Sequence, residues 1–81
     1  MISARQVRAA RALLGWSQQE LADRAIVSVN ALVRLERGTV DTRTSTLSAV
    51  QGALTRGGIE FISADQKGEG VRLTHPDSHL D

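Results

Sequence analysis

Two helix-start signals lie at Ser17 and Ser28, so close together that only a short helix fits between them. Ser17 is followed three residues later by Glu20, which is the pattern of a capping box, and Trp16 and Leu21 are spaced for a hydrophobic staple. The hydroxyl of Ser28 can cap a further helix in the same way. The spacing therefore predicts a short helix, a brief turn and then a second short helix.

The apolar residues of this segment fall on the sides where the two helices would meet. Leu21 and Ala22 face inward on the first helix, and Leu32 and Leu35 face inward on the second. Gly38 is well suited to end the second helix. Two short helices with this pattern pack at a large angle, so that the second projects from the body and fits the major groove of B-DNA.

A helix is predicted before this pair. Ser3 can cap it, Gly15 can end it, and Val7, Arg11 and Leu14 follow at spacings of four and three on one face. These residues predict an amphipathic first helix.

A fourth helix is predicted after a polar loop from Thr39 to Arg43. Thr44 or Ser45 can cap it, and Gly57 with Gly58 can end it. Its apolar stripe consists of Leu47, Val50 and Leu54.

The pattern beyond the glycines indicates a two-stranded hairpin, with strands over residues 59–62 and 71–74. An isolated hairpin is marginal in water, so its apolar residues need cover. We expect them to pair with a second subunit across a twofold axis, and the alternative is that they cap the helices of their own chain. The residues assigned to this dimerisation surface are Ile59, Phe61, Ile62, Val71 and Leu73.

The net charge of +1 conceals a strong asymmetry. Residues 1–58 carry eight arginines against four acids, a net charge of +4, whereas residues 59–81 carry two basic residues against five acids, a net charge of −3. The basic part contains the two short helices, as a nucleic-acid-binding segment should. The sequence thus divides into a helical DNA-binding domain over 1–58, a hairpin over 59–74 and a flexible tail over 75–81.

Other classes of protein find little support in the sequence. There is no cysteine, no long apolar run and no signal-peptide pattern, which favours a cytoplasmic protein without a membrane partner. His75 and His79 stand in the tail beside Pro76, which argues against a rigid metal site. No catalytic constellation, cofactor motif or small-molecule effector pocket is evident, so we expect no enzyme activity.

The chain resembles the XRE-type helix-turn-helix regulators, the family of phage repressors and Cro-like proteins. The resemblance is carried by the segments RALLGWSQQELA, from Arg11 to Ala22, and LVRLERG, from Leu32 to Gly38. It covers about residues 7–54. It implies an all-α, compact domain of four to five helices, here with a small C-terminal β-hairpin, that binds double-stranded operator DNA as a homodimer.

Carried over position by position, the resemblance implies separate roles for the residues of the motif. The base-contacting positions are Val29, Asn30, Val33 and Arg34. The phosphate-contacting positions are Gln18, Ser28, Arg37 and Arg43. The family also pairs the positions of Arg11 and Glu36 in a structural ion pair.

The chain departs from the family at Ile26, where glycine is frequent because φ tends to be positive. A β-branched residue is poorly suited to that conformation. Either the turn takes another form or it is strained by about 1–3 kcal/mol.

These features predict a repressor that binds an inverted-repeat operator, because a bound dimer represses simply by obstructing polymerase. Three alternatives stay open: a controller protein of a restriction-modification system, an antitoxin, and an interaction module that kept the fold without binding DNA.

Overall fold

The first three helices each begin directly after a serine that caps them. In the computed structural model, which describes residues 1–38, 43–65 and 67–74, these serines are Ser3, Ser17 and Ser28. Each hydroxyl accepts a hydrogen bond from the backbone N–H three residues later, at 3.0–3.1 Å. The helices are α1 (Ala4–Leu14), α2 (Gln18–Ala25) and α3 (Val29–Glu36). The three predicted helix starts are confirmed, as is the end of α1 at Gly15, where φ is +70°.

A complete capping box forms at Ser3 and not at Ser17, where the sequence predicts one. At Ser3 the box is complete, because the side chain of Gln6 accepts the Ser3 N–H at 2.9 Å. At Ser17 the reciprocal half predicted for Glu20 is wrong. The Glu20 carboxylate accepts from Arg24 instead, at 2.9 Å, because a charged donor one turn further along binds it more strongly than a backbone amide.

The fourth helix, α4 (Thr44–Arg56), begins without a side-chain cap. Its N-cap residue is Arg43, so the predicted cap at Thr44 or Ser45 is wrong, since both lie inside the first turn. The hairpin strands are β1 (Ile59–Ile62) and β2 (Gly70–Leu73). The described residues thus form four helices and a hairpin, and the upper expectation of five helices is not supported.

One core joins the helices to the hairpin. Among the described residues, eleven buried apolar side chains form it: Val7, Ala10, Leu21, Ala22, Ala25, Leu32, Leu35, Val50, Ala53, Leu54 and Ile59. The inward positions predicted for Leu21, Ala22, Leu32 and Leu35 are confirmed. Within the described part of the chain, no helix has the length and apolarity needed to cross a bilayer.

The hairpin covers the helices of its own chain. Ile59 pairs with Leu73 and Phe61 with Val71, so these four side chains share one face, which packs against α1 and α4. Ile59 is only 2% exposed. The side chain is enclosed by the helices of its own chain, and the assignment of Ile59 to a dimerisation surface stays a prediction.

Polar contacts tie the hairpin to the beginning of α1. The buried side chain of Gln6 donates from Nε2 to the carbonyls of Ile62, at 3.0 Å, and Gly70, at 2.9 Å. Ser3 Oγ donates to Glu69 Oε2 at 2.7 Å. Each link spans more than fifty residues of sequence, so the capped start of α1 depends on the hairpin.

Some sequence-based expectations lie outside the described residues. They are the conformation of the loop over residues 39–42 and the flexibility of the tail over residues 75–81, including its histidines.

Two glycines of the α4 region lead to opposite expectations. A Cβ added to Gly57 would lie 2.6 Å from Trp16 Cη2, whereas a Cβ on Gly52 would meet only the flexible tip of Arg56, at 3.2 Å. We expect Gly57→Ala to lower the free energy of unfolding by about 1 kcal/mol through overpacking. Gly52→Ala should raise it by about 0.5–1 kcal/mol, because glycine is unfavourable inside a helix. Urea denaturation measures both, and equal shifts would contradict the contact with Trp16.

Candidate nucleic-acid interface

The turn between α2 and α3 keeps a left-handed residue. Ile26 has φ +58° and ψ +49°, and its side chain is 90% exposed. The Val27 N–H donates to the Ala22 carbonyl at 3.0 Å, which closes the turn. Of the two possibilities left open by the sequence, the structure shows the strained one, with a β-branched residue in the conformation that favours glycine.

One stripe of α3 faces outward. Asn30, Arg34 and Arg37 are exposed and stand four and three residues apart, which places them in line along one side of the helix. Val33 lies at the edge of this stripe and is half-buried. The arrangement gives α3 an amide and two guanidinium groups on a surface that the described residues of the chain leave exposed.

Val29 does not lie fully on this stripe. It is half-buried and packs against the core, so its assignment to a freely outward position needs correction. The reason is periodicity, because residues seven apart differ by only about 20° around a helix. Glu36 is buried seven residues later, so Val29 belongs largely to the same side.

A second part of the candidate interface consists of the N-termini of α2 and α3. The Ser28 hydroxyl accepts the Ala31 N–H at 3.1 Å, and the Ser28 residue itself is exposed at the start of α3. Helix N-termini favour anions because their first N–H groups lack partners within the helix. Gln18 begins α2 and donates from Nε2 to Glu36 Oε1 at 3.0 Å. The assignments of Gln18 and Ser28 to phosphate contact stay predictions.

A buried carboxylate holds three helices together. Glu36 is 4% exposed and accepts from Arg11 through two bonds, Nε to Oε2 at 2.8 Å and Nη2 to Oε1 at 3.0 Å. Arg11 also donates to the Trp16 carbonyl at 3.1 Å. With Gln18, these contacts join α1, α2 and α3 around one charged side chain, and they fix the C-terminal end of α3.

Arg37 and Arg43 stand on either side of the loop over residues 39–42. Arg37 is the C-cap of α3 and Arg43 the N-cap of α4, and both are exposed. Exposed guanidinium groups suit contact with a nucleic-acid backbone, and this role stays a prediction.

Sequence reasoning missed two residues of α1 that support the interface. Arg8 donates from Nη1 to the backbone carbonyl of Glu36, and Gln6 anchors the hairpin. The signal for Gln6 was present, since it stands three residues after Ser3 in a capping-box pattern. The signal for Arg8 was weaker: it precedes Arg11 by three residues and so shares its face of the helix.

A sequence model of the helix-turn-helix family matches residues 7–56, which is more than half of the chain. The chain belongs to the XRE-type helix-turn-helix family. This family consists of DNA-binding transcription regulators, so the protein carries a DNA-binding fold. The match begins within α1 and ends with α4, and the hairpin of this helix-turn-helix protein lies beyond it. No curated protein matches the chain.

Proposed function

We propose that this protein is a cytoplasmic transcription repressor that binds an inverted-repeat operator as a homodimer, with α3 in the major groove. The observation that carries the proposal is the outward stripe of α3, where Asn30 and Arg34 are exposed on a helix of a DNA-binding family. The two half-sites would lie about one helical turn of DNA apart, 34–36 Å, as is usual for dimers of this type.

The side chains of the stripe have the chemistry of base readers. A guanidinium such as that of Arg34 can bind O6 and N7 of guanine together, and an amide such as that of Asn30 can bind N6 and N7 of adenine. The exposed parts of Val29 and Val33 can touch a thymine methyl group. In the proposed complex these four residues supply sequence discrimination.

Phosphate contacts would surround the four base-contacting residues of α3, which we call the reading stripe. We assign them to Gln18 and Ser28 at the starts of α2 and α3, and to Arg37 and Arg43 beside the following loop. The net charge of +4 over residues 1–58 supports this assignment, because neutralising phosphates contributes much of the affinity for DNA. These contacts would set the position of α3 without reading the sequence.

The hairpin is the proposed dimerisation element. The described sheet has two strands, so each strand has one edge without a strand neighbour, and such edges pair readily with another chain. Ile62 lies on the outer face beside Gly70, away from the covered face. Phe61, Val71 and Leu73 are half-buried and keep some exposed surface for a partner.

The proposal is tested by binding to DNA selected from a random pool, followed by footprinting and a salt titration. We expect two protected half-sites and a log-linear fall in affinity, with a slope of about −0.9 for each phosphate neutralised. Absent or salt-insensitive binding would favour an interaction module that does not bind DNA. A single protected half-site would contradict the dimer.

Arg34→Ala tests the reading stripe within the same assay. We expect it to reduce discrimination at one base pair about tenfold, because a bidentate contact to guanine is lost. Arg24→Ala is the matched control, since Arg24 is an exposed arginine of α2 that stacks 4.3 Å from the Trp16 ring centroid. It removes the same charge and should leave discrimination unchanged. Equal and sequence-independent losses in both variants would remove Arg34 from the base readers.

A further inference from the structure

Glu36, the last residue of α3, is held at two different points by α1. Arg11 binds its carboxylate with two hydrogen bonds, at 2.8 and 3.0 Å. Arg8, three residues earlier on the same face of α1, donates from Nη1 to the backbone carbonyl of Glu36. We call these three residues the α1–α3 clamp.

The two contacts of the clamp restrain different parts of Glu36, its side chain and its backbone. The Arg11 contact joins the ends of two side chains, and the side-chain torsions of Glu36 lie between that contact and the backbone of α3. The Arg8 contact acts on the backbone itself. The first alone would allow α3 to shift while the ion pair stayed intact, whereas both together fix the end of the helix.

Arg8 donates to a carbonyl at the C-terminal end of α3, where the helix itself supplies no N–H donor. The last four carbonyls of an α-helix have no partner within the helix. In α3 the carbonyls of Val33 and Arg34 accept from the Arg37 N–H at 3.1 and 3.2 Å, and that of Leu35 accepts from the Gly38 N–H at 3.0 Å. Arg8 serves the fourth carbonyl with a charged donor, which the negative end of the helix dipole also favours.

The chain leaving α3 stays close to the same face of α1. A Cβ built on Gly38 would lie 4.0 Å from the Cβ of Ala4. Ala4, Arg8 and Arg11 stand four and three residues apart, so a single face of α1 contacts the end of α3. Arg34, the proposed guanine reader, lies only two residues before the clamped carbonyl.

We propose that Arg8 is a positioning residue for DNA recognition: it fixes the C-terminal end of α3 and thereby the direction of the reading stripe. Arg8 acts on α3 and does not contact phosphate. This inference rests on the proposed function, because its effect on DNA is exerted through α3. It adds a specificity determinant that lies outside both the recognition helix and the helix-turn-helix.

The test compares Arg8→Ala with Arg5→Ala. Both replace an exposed arginine of α1 and remove one positive charge, but Arg5 binds Glu69 of the hairpin, at 3.0 Å, whereas Arg8 binds the end of α3. We expect Arg8→Ala to lower the ratio of operator affinity to scrambled-DNA affinity about tenfold, since a charge-assisted hydrogen bond is lost. Arg5→Ala should leave this ratio unchanged, and the two variants should share the same salt dependence.

A second measurement follows backbone amide hydrogen exchange in the protein without DNA. We expect exchange of residues 33–37 to become several-fold faster in Arg8→Ala and to stay unchanged in Arg5→Ala. Unchanged exchange in Arg8→Ala would overturn the clamp. This measurement remains informative if the wild type binds no operator, a result that would reject the proposed function and leave the clamp to be judged by exchange alone.

The DNA measurements can overturn the inference in two further ways. A salt slope that is smaller by about 0.9 only in Arg8→Ala, with equal weakening on every DNA, would identify Arg8 as a phosphate contact. Identical affinity ratios for the two variants would show that the Arg8 contact does not influence recognition.

Discussion

Arg11→Met lowers the free energy of unfolding by about 3–5 kcal/mol, because it leaves a buried carboxylate without its cation. Glu36 is 4% exposed and would retain only the Gln18 amide as a side-chain partner among the contacts described above. Glu36→Leu costs less, since the Arg11 side chain is 23% exposed and its guanidinium can reach water. Urea denaturation monitored by circular dichroism measures both variants.

The double variant Arg11→Met/Glu36→Leu is the control for this prediction. Replacing both members of a buried pair with apolar residues of similar volume is often neutral or stabilising. We expect the double variant to lie within about 1–2 kcal/mol of the wild type, the remaining loss coming from the bond between Arg11 and the Trp16 carbonyl. If the two single losses simply add in the double variant, the ion pair is not the cause.

Ile26→Asn raises the free energy of unfolding by about 1–3 kcal/mol, because it relieves a β-branched residue of a left-handed conformation that asparagine tolerates. Little packing is lost, since Ile26 is 90% exposed. For a domain of this size the midpoint of thermal unfolding should rise by about 4–8 °C for each kcal/mol. Ile26→Gly should also stabilise, but less, because glycine adds about 0.5–1 kcal/mol of backbone entropy to the unfolded chain.

Val27→Asn is the matched control for Ile26→Asn. Val27 is the next residue, is half-buried against the core, and is not among the described residues with positive φ. The same substitution at Val27 should therefore lower the free energy of unfolding, because apolar burial is lost. A loss of stability in both variants would show that the turn at Ile26 carries no relievable strain.

The helix starts could be predicted where one local pattern stood alone. Ser3, Ser17 and Ser28 each precede a helix because a single cap residue lies at each boundary. The start of α4 could not, since Thr44, Ser45 and Thr46 offer adjacent cap-type side chains and none is used. With three cap-type residues in a row, the local pattern does not decide at which residue the helix begins.

The interface shows the same division between local and tertiary information. The outward positions of Asn30 and Arg34 follow from the helical period, and so does the half-buried state of Val29, which stands seven residues before the buried Glu36. The contact of Arg8 with the Glu36 carbonyl joins residues 28 apart in sequence. This contact could not be read from one helix alone, because it depends on the angle at which α1 and α3 pack.

The bonds from Ser3 and Gln6 to the hairpin lead to an expectation about folding during synthesis. A nascent chain that has emerged as far as α4 contains the whole helix-turn-helix, yet α1 still lacks its partners at Glu69 and Gly70, and the core still lacks Ile59. Contacts this distant in sequence form late because a long loop must first be closed. We therefore expect the DNA-binding surface to reach its final conformation only after β2 has left the ribosomal exit tunnel.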